Sequence, residues 1–503
     1  MQRQPVVTAT FDSNGDDESV FPKVRNICCI GAGYVGGPTC AVLAWKCPDI
    51  KVTICDLSQP RIDAWNSDTL PIFEPGLSEI VFEARGRNLF FTTDVDNAIA
   101  EADLIFVSVN TPTKTSGVGA GVAADLCYVE AATRRIAALS RKGAIIVEKS
   151  TVPCRTAESM RQILSATSPQ EGAVFEILSN PEFLAEGTAV EDLLDPARIL
   201  IGALDTPRGQ LAQRRLVEVY ANWVAPKNIL TTSLWSSELS KLAANALLAQ
   251  RVSSINAIAA ICEATGSNVF EVSNACGLDP RIGSQFLKAG LGFGGSCFQK
   301  DIFNLIYLST SLNLPEVAEY WAQVLKMNEW TKSRFTRGVV KKMFSTITRK
   351  TIVCAGYAFK KDTGDIREAP AINVARDLME DGACLRIYDP KVTAESIHES
   401  LKGFTYIDWA TASAAGPWDL PQAGTYTICP SLDAALVNAS ALLFVTDWSE
   451  FKGLDLEWWT ATHAKMTKPA MVFDGRDILN TAECAHLRKI GFGVEKTGVG
   501  HAI

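Results

Sequence analysis

The amino-acid sequence predicts an α/β fold in which two Rossmann-like, doubly wound domains are joined by a long central helix. Short apolar runs alternate with helical patterns in both halves of the chain, which is typical of parallel sheets covered by helices on both faces. Between them, residues 235–264 contain neither Gly nor Pro and are rich in Ala, Leu, Ser and Asn, which predicts one long helix. A chain of 503 residues is also too long for one ordinary core.

The first predicted Rossmann-like domain, residues 23–232, contains a series of short apolar runs that predict its strands. These runs occupy residues 26–30, 51–55, 104–109, 144–148, 175–178 and 199–202. Residues 1–22 precede this domain and lack the apolar core of a signal peptide. We interpret them as a flexible N-terminal extension.

A predicted central helical domain, residues 233–345, separates the two α/β parts and includes further helix from about 300 to 344. Strand patterns return in a second Rossmann-like domain, residues 346–503. Its predicted strands occupy residues 351–355, 384–388, 441–445 and 470–473. Residues 408–426 are rich in Gly, Pro and Ala, and they predict a surface insertion.

The composition excludes several classes of function. The chain has 48 Lys and Arg against 56 Asp and Glu, a net charge of −8, which argues against nucleic acid as a partner. No apolar run reaches the roughly 18 residues that a membrane span needs. The 14 cysteines show neither disulfide nor zinc-ligand spacing, so we expect reduced thiols, no bound metal and a cytoplasmic location. All four histidines lie outside the motifs, which leaves proton transfer to Lys, Asp, Glu or Cys.

A glycine-rich loop, Gly31-Ala-Gly33-Tyr-Val-Gly36, follows the first predicted strand directly. The first glycine permits the tight turn, the second lets the backbone approach a pyrophosphate, and the third lets the helix pack on the strand. Asp56 ends the next strand, where its carboxylate can accept from ribose hydroxyls and repel a 2′-phosphate. The pattern predicts an NAD site. Arg61 stands against this preference for NAD, although it could instead contact the pyrophosphate region.

The strongest local chemistry lies in the run Gly-Phe-Gly-Gly-Ser-Cys at residues 292–297. Ser296 has Gln three residues further on, the spacing of a capping box, which predicts a helix with Cys297 at its first position. The positive end of the helix dipole would favour a thiolate, and Lys300 and Asp301 would share a helical face with the sulfur. We interpret Cys297 as a nucleophile, and the other cysteines as structural thiols.

Two further places combine polar side chains with helix signals. Asn180, followed by Pro, predicts a helix start that puts Glu182 and Glu186 on one face, although first-turn carboxylates also suit the helix dipole alone. On the long helix, Lys241 and Asn245 stand four residues apart and could donate to a developing oxyanion. A solvated lysine is the alternative.

The second Rossmann-like domain carries a cationic loop where a phosphate loop would lie, immediately after a predicted strand. Lys360 and Arg367 in this loop suit phosphate recognition, and Arg476 follows the last clear strand. Each of these cations could alternatively be a surface charge.

Taken in order along residues 24–495, these motifs resemble those of the UDP-glucose 6-dehydrogenases in the UDP-glucose/GDP-mannose dehydrogenase family. The residues that carry the resemblance are Gly31-Ala-Gly-Tyr-Val-Gly36, Val109-Asn-Thr-Pro-Thr113, Glu148-Lys-Ser-Thr-Val-Pro153, Ser179-Asn-Pro-Glu-Phe-Leu-Ala-Glu-Gly-Thr188, Ser236-Ser-Glu-Leu-Ser-Lys-Leu-Ala-Ala-Asn245, Gly292-Phe-Gly-Gly-Ser-Cys-Phe-Gln-Lys-Asp301, Phe359-Lys-Lys-Asp-Thr-Gly-Asp365 and Phe473-Asp-Gly-Arg476.

The resemblance implies a four-electron oxidation of UDP-glucose to UDP-glucuronate with two NAD in succession. Cys297 would attack the aldehyde to give a thiohemiacetal, and the second oxidation would leave a thioester that water hydrolyses. The resemblance implies that Lys241 holds the oxyanion with Asn245. It gives Asp301 a part in proton transfer and water activation, and Glu182 a part in thioester hydrolysis.

The resemblance also implies two sets of binding residues. Thr151, itself in the catalytic set, and Glu186 would lie near the nicotinamide and an ordered water, and Arg281 would reach a neighbouring subunit's substrate in a homo-oligomer. The implied cofactor-binding residues are Gly31, Gly33, Tyr34, Val35, Gly36, Asp56, Arg61, Val109, Asn110, Thr111, Thr113, Ser150, Thr151, Glu186, Lys300 and Arg367. The implied sugar-nucleotide residues are Glu182, Phe183, Leu184, Ala185, Glu186, Lys241, Asn245, Arg281, Lys288, Phe293, Gly294, Phe359, Lys360 and Arg476.

Three alternatives stay open at this point. A sibling enzyme could oxidise GDP-mannose or UDP-N-acetylmannosamine. A two-electron hydroxyacid dehydrogenase of the 6-phosphogluconate type would share the layout but would not need a nucleophilic cysteine. A catalytically inactive NAD-binding regulator is disfavoured because Cys297, Lys241 and Asp301 are all present. Oligomer size and feedback regulation are not evident from the sequence.

Overall fold

The computed structural model describes residues 20–140, 143–167, 173–414 and 421–498. Residues 1–19 of the predicted extension lie outside these ranges. The chain divides into two compact units: one comprises the residues up to Ala244 with Phe303–Pro315, and the other comprises Asn245–Ile302 with the residues from Glu316 onwards. Each unit contains one sheet dominated by parallel strands, which confirms the predicted fold class.

The sheet of the first unit has eight strands in the order β3-β2-β1-β4-β5-β6-β7-β8. Its pairs are parallel except β6 with β7. The strand order runs outward in one direction from β1 to β3 and in the other direction from β4 onwards. A doubly wound fold binds its ligand at the point between β1 and β4 where this order reverses. The elements are β1 Asn26–Ile30, α1 Gly36–Lys46, β2 Lys51–Cys55, α2 Gln59–Asn66, α3 Leu77–Ala84, β3 Leu89–Thr92, α4 Val95–Glu101, β4 Leu104–Val107, α5 Cys127–Leu139, β5 Gly143–Glu148, α6 Thr156–Thr167, β6 Val174–Ser179, α7 Ala189–Leu194, β7 Ile199–Ala203, α8 Pro207–Tyr220 and β8 Ile229–Ser233.

The central helices and the second sheet follow. The second sheet has seven parallel strands in the order β11-β12-β10-β9-β13-β14-β15, with its reversal between β9 and β13. The elements are α9 Leu234–Thr265, α10 Val269–Gly277, α11 Phe298–Ser311, α12 Pro315–Lys342, β9 Thr351–Ala355, α13 Pro370–Glu380, β10 Cys384–Tyr388, α14 Ala394–Ser400, β11 Thr405–Tyr406, α15 Trp409–Ala414, β12 Thr425–Ile428, α16 Leu432–Ala435, β13 Ala441–Phe444, α17 Leu456–Lys465, β14 Met471–Asp474, α18 Thr481–Lys489 and β15 Gly493–Lys496.

Both sheets are buried on two faces, which explains why their strands are continuous apolar runs rather than alternating ones. In β4, Leu104 belongs to the core on one face of the sheet and Ile105 to the core on the other. In β9, Ile352 and Val353 divide in the same way between two cores. Successive side chains of a strand point to opposite faces, so a strand such as β4 that is covered on both faces has apolar residues at successive positions.

Two sequence expectations about local structure were wrong. Residues 180–188 are not helical, because α7 begins at Ala189, so Asn180 does not cap a helix and Glu182 and Glu186 share no helical face. The insertion predicted at residues 408–426 is wrong at its C-terminal end, because Thr425 and Tyr426 belong to β12, a strand paired on both sides; residues 415–420 lie outside the described residues. The backbone of β12 is tied into the sheet despite the Gly, Pro and Ala around it.

Other differences concern short elements. The sequence patterns missed the strands β3, β8, β11, β12 and β15, which have two to five residues each. The helix expected from about 300 to 344 is divided into α11 and α12. Within the described part of the chain, none of the helices combines the length and apolar character that a membrane crossing requires.

Candidate active site

The glycine-rich loop of the first unit has the geometry that each of its three glycines predicts. Gly31 has a φ of 110°, and a Cβ there would lie 2.3 Å from the carbonyl oxygen of Ser108. A Cβ on Gly36 would lie 2.1 Å from the carbonyl oxygen of Gly31, so helix α1 packs closely on the turn. A Cβ on Gly33 would meet no atom within 4 Å, which leaves its backbone open to a ligand.

The carboxylate of Asp56 lies directly beside this loop, at the end of β2. Its Oδ2 accepts from the backbone N–H of Ala32 at 3.0 Å and its Oδ1 from that of Ser58 at 2.9 Å. Arg61, which is half-exposed, forms an ion pair with Asp56 at 3.1 Å. Arg61 therefore has a partner within the protein, and its charge does not favour a 2′-phosphate as strongly as an unpaired arginine would.

Hydrogen bonds tie together the loops that follow β4 and β5. Thr111 Oγ1 donates to the carbonyl oxygen of Thr151 at 2.8 Å, and Ser150 Oγ donates to that of Val109 at 2.7 Å. The carboxyl ends of neighbouring parallel strands meet at one edge of a sheet, which is where these folds bind ligands. The structure thus groups these four predicted cofactor residues.

A buried network of hydrogen bonds keeps the side chain of Glu182 ionised. The sequence around Glu182 gives no sign of this network. Its Oε2 accepts from Lys149 Nζ at 2.8 Å and from Thr39 Oγ1 at 3.2 Å, and its Oε1 accepts from the N–H of Phe183 at 2.9 Å. Burial alone would raise the pKa of Glu182, but Lys149 and the N–H of Phe183 outweigh burial and lower it. Burial would likewise lower the pKa of Lys149, but Glu182 and Tyr220 raise it instead.

Asn180 supports the same network instead of capping a helix. Its side-chain oxygen accepts from Lys149 Nζ at 3.1 Å and from the Tyr220 hydroxyl at 2.7 Å, while its amide donates to the carbonyl oxygen of Leu200. Burial raises the pKa of Tyr220 to about 12, so the phenol stays protonated as a donor. The segment that begins at Asn180 is therefore positioned by strand β5, strand β7 and helix α8.

The ring of Phe183 contacts two cations. The guanidinium carbon of Arg198 lies 3.9 Å from the ring centroid, and Lys241 Nζ lies 5.5 Å from it. Cations over aromatic faces are attracted by the ring quadrupole. Lys241 is buried, with 6% of the residue exposed, so the ring replaces part of the hydration that this side chain has lost. The alternative of a solvated lysine at position 241 does not hold, while its role at an oxyanion stays a prediction.

In the second unit, Cys297 lies immediately before helix α11, which begins at Phe298 and not at the cysteine. The carbonyl oxygen of Cys297 accepts from the N–H of Asp301 at 2.9 Å, the first bond of the helix. The helix thus begins one residue later than predicted, although Cys297 still adjoins the positive helix end. The residue is exposed, and its Sγ lies 3.6 Å from Ser296 Oγ.

The run before Cys297 is fixed by close contacts. Asn328 of α12, which is buried, donates to the carbonyl oxygen of Phe293 at 3.0 Å and accepts from its N–H at 2.9 Å. A Cβ on Gly294 would lie 2.4 Å from the carbonyl oxygen of Glu368, and one on Gly295 would lie 3.0 Å from the Phe359 ring. Glycine is needed here because neighbouring chain segments approach the backbone so closely.

Asp301 and Asn245 form a direct hydrogen bond in the same unit. Asn245 Nδ2 donates to Asp301 Oδ2 at 2.6 Å, and Asp301 has no exposed surface. A buried carboxylate requires such donors. Asn245 and Asp301, which the resemblance placed in one reaction, are therefore neighbours.

Arg476 joins three loops at the carboxyl ends of β9, β13 and β14. Its guanidinium donates to the carbonyl oxygens of Val445 at 2.6 Å, Gly292 at 3.3 Å and Phe359 at 3.5 Å. Burial lowers the pKa of Arg476. Lys360 Nζ lies 5.6 Å from the centroid of the Phe359 ring. These residues occupy the edge of the second sheet where a nucleotide would be expected.

Three other predicted cations pair with nearby carboxylates. Arg281 binds Asp279 at 2.6 Å and has 83% of its side chain exposed. Arg367 donates to Asp365 at 2.9 Å through Nε, and Lys288 lies 3.8 Å from Asp477. These contacts identify no ligand, so the predicted binding roles of Arg281, Lys288 and Arg367 stay predictions.

Sequence reasoning missed several residues that position the site. Lys149 and Asn328 act on residues far away in the chain, so no local pattern points to them. Lys149 stands within the family motif that begins at Glu148, which was the one available signal.

The open glycine loop with its acidic neighbour, the exposed cysteine at a helix start and the second doubly wound sheet define a dinucleotide-dependent dehydrogenase with two nucleotide-binding-type domains. The chain belongs to the UDP-glucose/GDP-mannose dehydrogenase family. It matches that family's NAD binding domain at residues 25–224, its central domain at 235–330 and its UDP binding domain at 353–481. NAD is accordingly the cofactor, and a UDP-binding domain receives the substrate.

Relatives align with almost the entire chain. UDP-glucose 6-dehydrogenase 5 of Oryza sativa subsp. japonica is 56% identical over 472 residues, covering 94% of this chain and 96% of the relative. UDP-glucose 6-dehydrogenase of Mus musculus is 53% identical over 481 residues, covering 95% and 94%. A solved UDP-glucose dehydrogenase of Pyrobaculum islandicum, 29% identical, superposes with a TM-score of 0.78 and covers 95% of this chain and 98% of that one.

Proposed function

We propose that this protein oxidises UDP-glucose to UDP-glucuronate in four electrons, using two NAD in succession. The observation that carries the proposal is the exposed thiol of Cys297 at the start of α11, beside the Asn245–Asp301 pair. A two-electron alcohol dehydrogenase has no need of a nucleophilic cysteine, whereas in the oxidation of an aldehyde to an acid a cysteine provides a covalent route through a thioester. The similarity to UDP-glucose 6-dehydrogenases supports the choice of sugar nucleotide.

The residues of the first unit suit NAD binding. The open backbone at Gly33 would receive the pyrophosphate at the start of α1, and Asp56 would accept from the ribose. Thr151 and Glu186 would lie near the nicotinamide and an ordered water. When bound, NAD supplies the acceptor for both oxidation steps.

In the proposed reaction the sugar's primary alcohol is first oxidised to an aldehyde, and the Cys297 thiolate then adds to the carbonyl carbon. Lys241 and Asn245 would stabilise the negative oxygen that results, and addition of one proton to this oxygen would give the thiohemiacetal. The second oxidation turns this adduct into a thioester. Asp301 would accept a proton from the attacking water, and Glu182 would contribute to the hydrolysis that releases the acid and regenerates the thiol.

The sugar nucleotide would be bound by two groups of residues. Phe293, Gly294, Phe359, Lys360 and Arg476 come from the second unit, and their arrangement around the carboxyl ends of β9 and β14 supports a role in UDP binding. The other members of the proposed set are the segment from Glu182 to Glu186, Lys241, Asn245, Arg281 and Lys288.

Stoichiometry tests the proposed function. Purified protein is mixed with UDP-glucose and excess NAD, and the NADH formed per sugar is measured together with the product. Two NADH and UDP-glucuronate are expected. One NADH per sugar, or no reaction with UDP-glucose while GDP-mannose or UDP-N-acetylmannosamine is oxidised, would contradict the proposal.

We further propose a homo-oligomer in which Arg281 reaches the substrate of a neighbouring subunit. The strong exposure of Arg281 supports this role, because its paired guanidinium remains open to solvent. Mixing tests the idea. Arg281→Ala and Cys297→Ser chains are each expected to be inactive alone, whereas a mixed oligomer would regain part of the activity by combining an intact arginine with an intact cysteine. No recovery in a verified mixed oligomer would contradict shared sites.

We propose that the chain has four parts, which are residues 1–22, 23–232, 233–345 and 346–503. We also propose that the reaction takes place in the cytoplasm. All fourteen cysteines are free thiols, and Cys28 and Cys55 remain unbonded although their sulfurs are 3.7 Å apart, which supports a reducing compartment. Fractionation of cells that express the tagged chain would test the location.

A further inference from the structure

A buried carboxylate, Glu74, lies between the glycine-rich loop and the segment that leads from Glu182 into α7. It precedes α3, and 3% of the residue is exposed. Its Oε1 accepts from the Tyr34 hydroxyl and from the N–H of Gly187 at 2.6 Å, and its Oε2 accepts from the N–H of Ala189 at 3.1 Å. One carboxylate thus bonds to the cofactor loop and to the segment at residues 187–189.

The chain around Glu74 favours this geometry. Ala189 is the first residue of α7, so its N–H has no partner within the helix, and a negative charge at that helix end is favourable. Gly187 has a φ of 85°, which turns its N–H towards the same carboxylate at little steric cost. A Cβ on Gly76 would lie 3.7 Å from Val190, so the segment that carries Glu74 also packs against α7.

We propose that Glu74 is a positioning residue that links occupancy of the NAD site to the conformation of residues 182–189. The inference rests on the proposed function, in which this segment carries Glu182 and Glu186. Tyr34 lies between the second and third glycines of the loop. If bound NAD orders this loop, it also orders the phenol of Tyr34. The phenol donates to Glu74, and Glu74 in turn fixes the amides of Gly187 and Ala189.

Two substitutions test the two contacts of Glu74 separately: its contact with Tyr34 of the glycine-rich loop and its contacts with the backbone at residues 187–189. Tyr34→Phe removes the phenol's bonds to Glu74 and to the carbonyl oxygen of Phe73 but leaves both bonds from the carboxylate to the backbone. Glu74→Gln retains one acceptor oxygen and replaces the other by an NH₂ group. That group must face a backbone N–H or the phenol, so at least one of the three bonds is lost.

Hydrogen exchange of the Gly187 and Ala189 amides tests the proposal. It is followed with and without NAD at a concentration that saturates each variant, in the absence of sugar. In the wild type, NAD is expected to slow exchange by about fivefold to tenfold, the effect of about one ordinary hydrogen bond. In Tyr34→Phe the change should be below about twofold. In Glu74→Gln at least one of the two amides should exchange faster even without NAD, because the NH₂ group replaces the oxygen that accepts from one of them.

The matched control is Glu83→Gln on α3, which makes the same chemical change at a carboxylate that accepts from Trp45 Nε1 at 2.9 Å. It should respond to NAD like the wild type. An equal response to NAD in Tyr34→Phe and the wild type, or no response in either, would overturn the link. If Glu74→Gln fails to fold, Tyr34→Phe decides alone. Because sugar is absent, an error in the assigned substrate leaves this result intact.

Discussion

Lys149 Nζ lies 2.8 Å from Glu182 Oε2, and 2% of the lysine side chain is exposed. This ion pair joins Lys149, the residue after strand β5, to the segment at residues 180–188, which has no regular secondary structure. A buried ion pair that accepts and donates further hydrogen bonds is costly to break, because the remaining charge is left without a partner. The proposed role of Glu182 in hydrolysis therefore depends on Lys149.

Lys149→Met is expected to destabilise the protein by about 3–5 kcal/mol and to narrow its active pH range. In the wild type the pKa of Glu182 is lowered, so the stability from the charged carboxylate is present above the usual Glu pKa and is lost as pH falls through the lowered value. Without Lys149, burial prevails and the pKa of Glu182 rises. The acidic limb of the kcat profile should then move to higher pH.

Lys51→Met is the matched control for this change. Lys51 pairs with Glu101 at 2.7 Å, but about half of each side chain is exposed, so water already screens the pair. Its stability and pH profile should stay close to those of the wild type. An unchanged acidic limb in Lys149→Met would show that the charge of Glu182 is not needed in the reaction.

Cys297→Ser is expected to abolish formation of the acid while NAD binding is retained. At neutral pH a serine hydroxyl without a dedicated base is a far weaker nucleophile than a thiolate. Product analysis and NAD titration measure the two properties separately. Cys276→Ser, at another exposed cysteine of the same unit, should be fully active. Normal UDP-glucuronate production by Cys297→Ser would refute the covalent route.

Asn245→Ala should lower kcat by about 10²–10³, the usual cost of losing one oxyanion donor. It also removes the bond of 2.6 Å to the buried Asp301, so a loss of thermal stability should accompany the kinetic defect. Steady-state kinetics and thermal unfolding measure both. Asn222→Ala, at an exposed residue that donates to carbonyl oxygens near the end of α8, is the control. A kcat within about twofold of the wild type would exclude the proposed oxyanion role.

The parts of the fold that the sequence predicted depend on local patterns. The strands β1 and β2 coincide with apolar runs that stop at a glycine loop and at Asp56, and α9 coincides with a stretch free of Gly and Pro. Such signals act between neighbours in the chain. The predicted start of helix α11 at Cys297 was wrong by one residue, which is the usual variation between assignments of a helix end.

The failures involve partners that are distant in the chain. Asn180 and the following proline are typical of a helix start. The side-chain amide of Asn180 instead forms hydrogen bonds with Lys149, Tyr220 and Leu200. Such competition between local and tertiary partners cannot be read from spacing. The same holds for Glu74, whose partners are 40 to 115 residues away.

Glu148→Gln is expected to stabilise the protein increasingly as pH rises. Burial, followed by the nearby carboxyl group of Glu238, raises the pKa of Glu148 well above its usual value, which favours the protonated carboxyl. The stability from this protonated group is complete below the usual Glu pKa and is lost as pH rises through the raised value.

An amide at position 148 does not titrate, so the melting temperature of Glu148→Gln relative to the wild type should rise between pH 5 and pH 8 by roughly 2 °C or more. Thermal unfolding at several pH values measures this difference. Glu79→Gln, at an exposed residue of α3, is the matched control for the same chemical change. A constant difference between Glu148→Gln and the wild type over this pH range would mean that Glu148 is already ionised in the folded protein, and it would contradict the prediction.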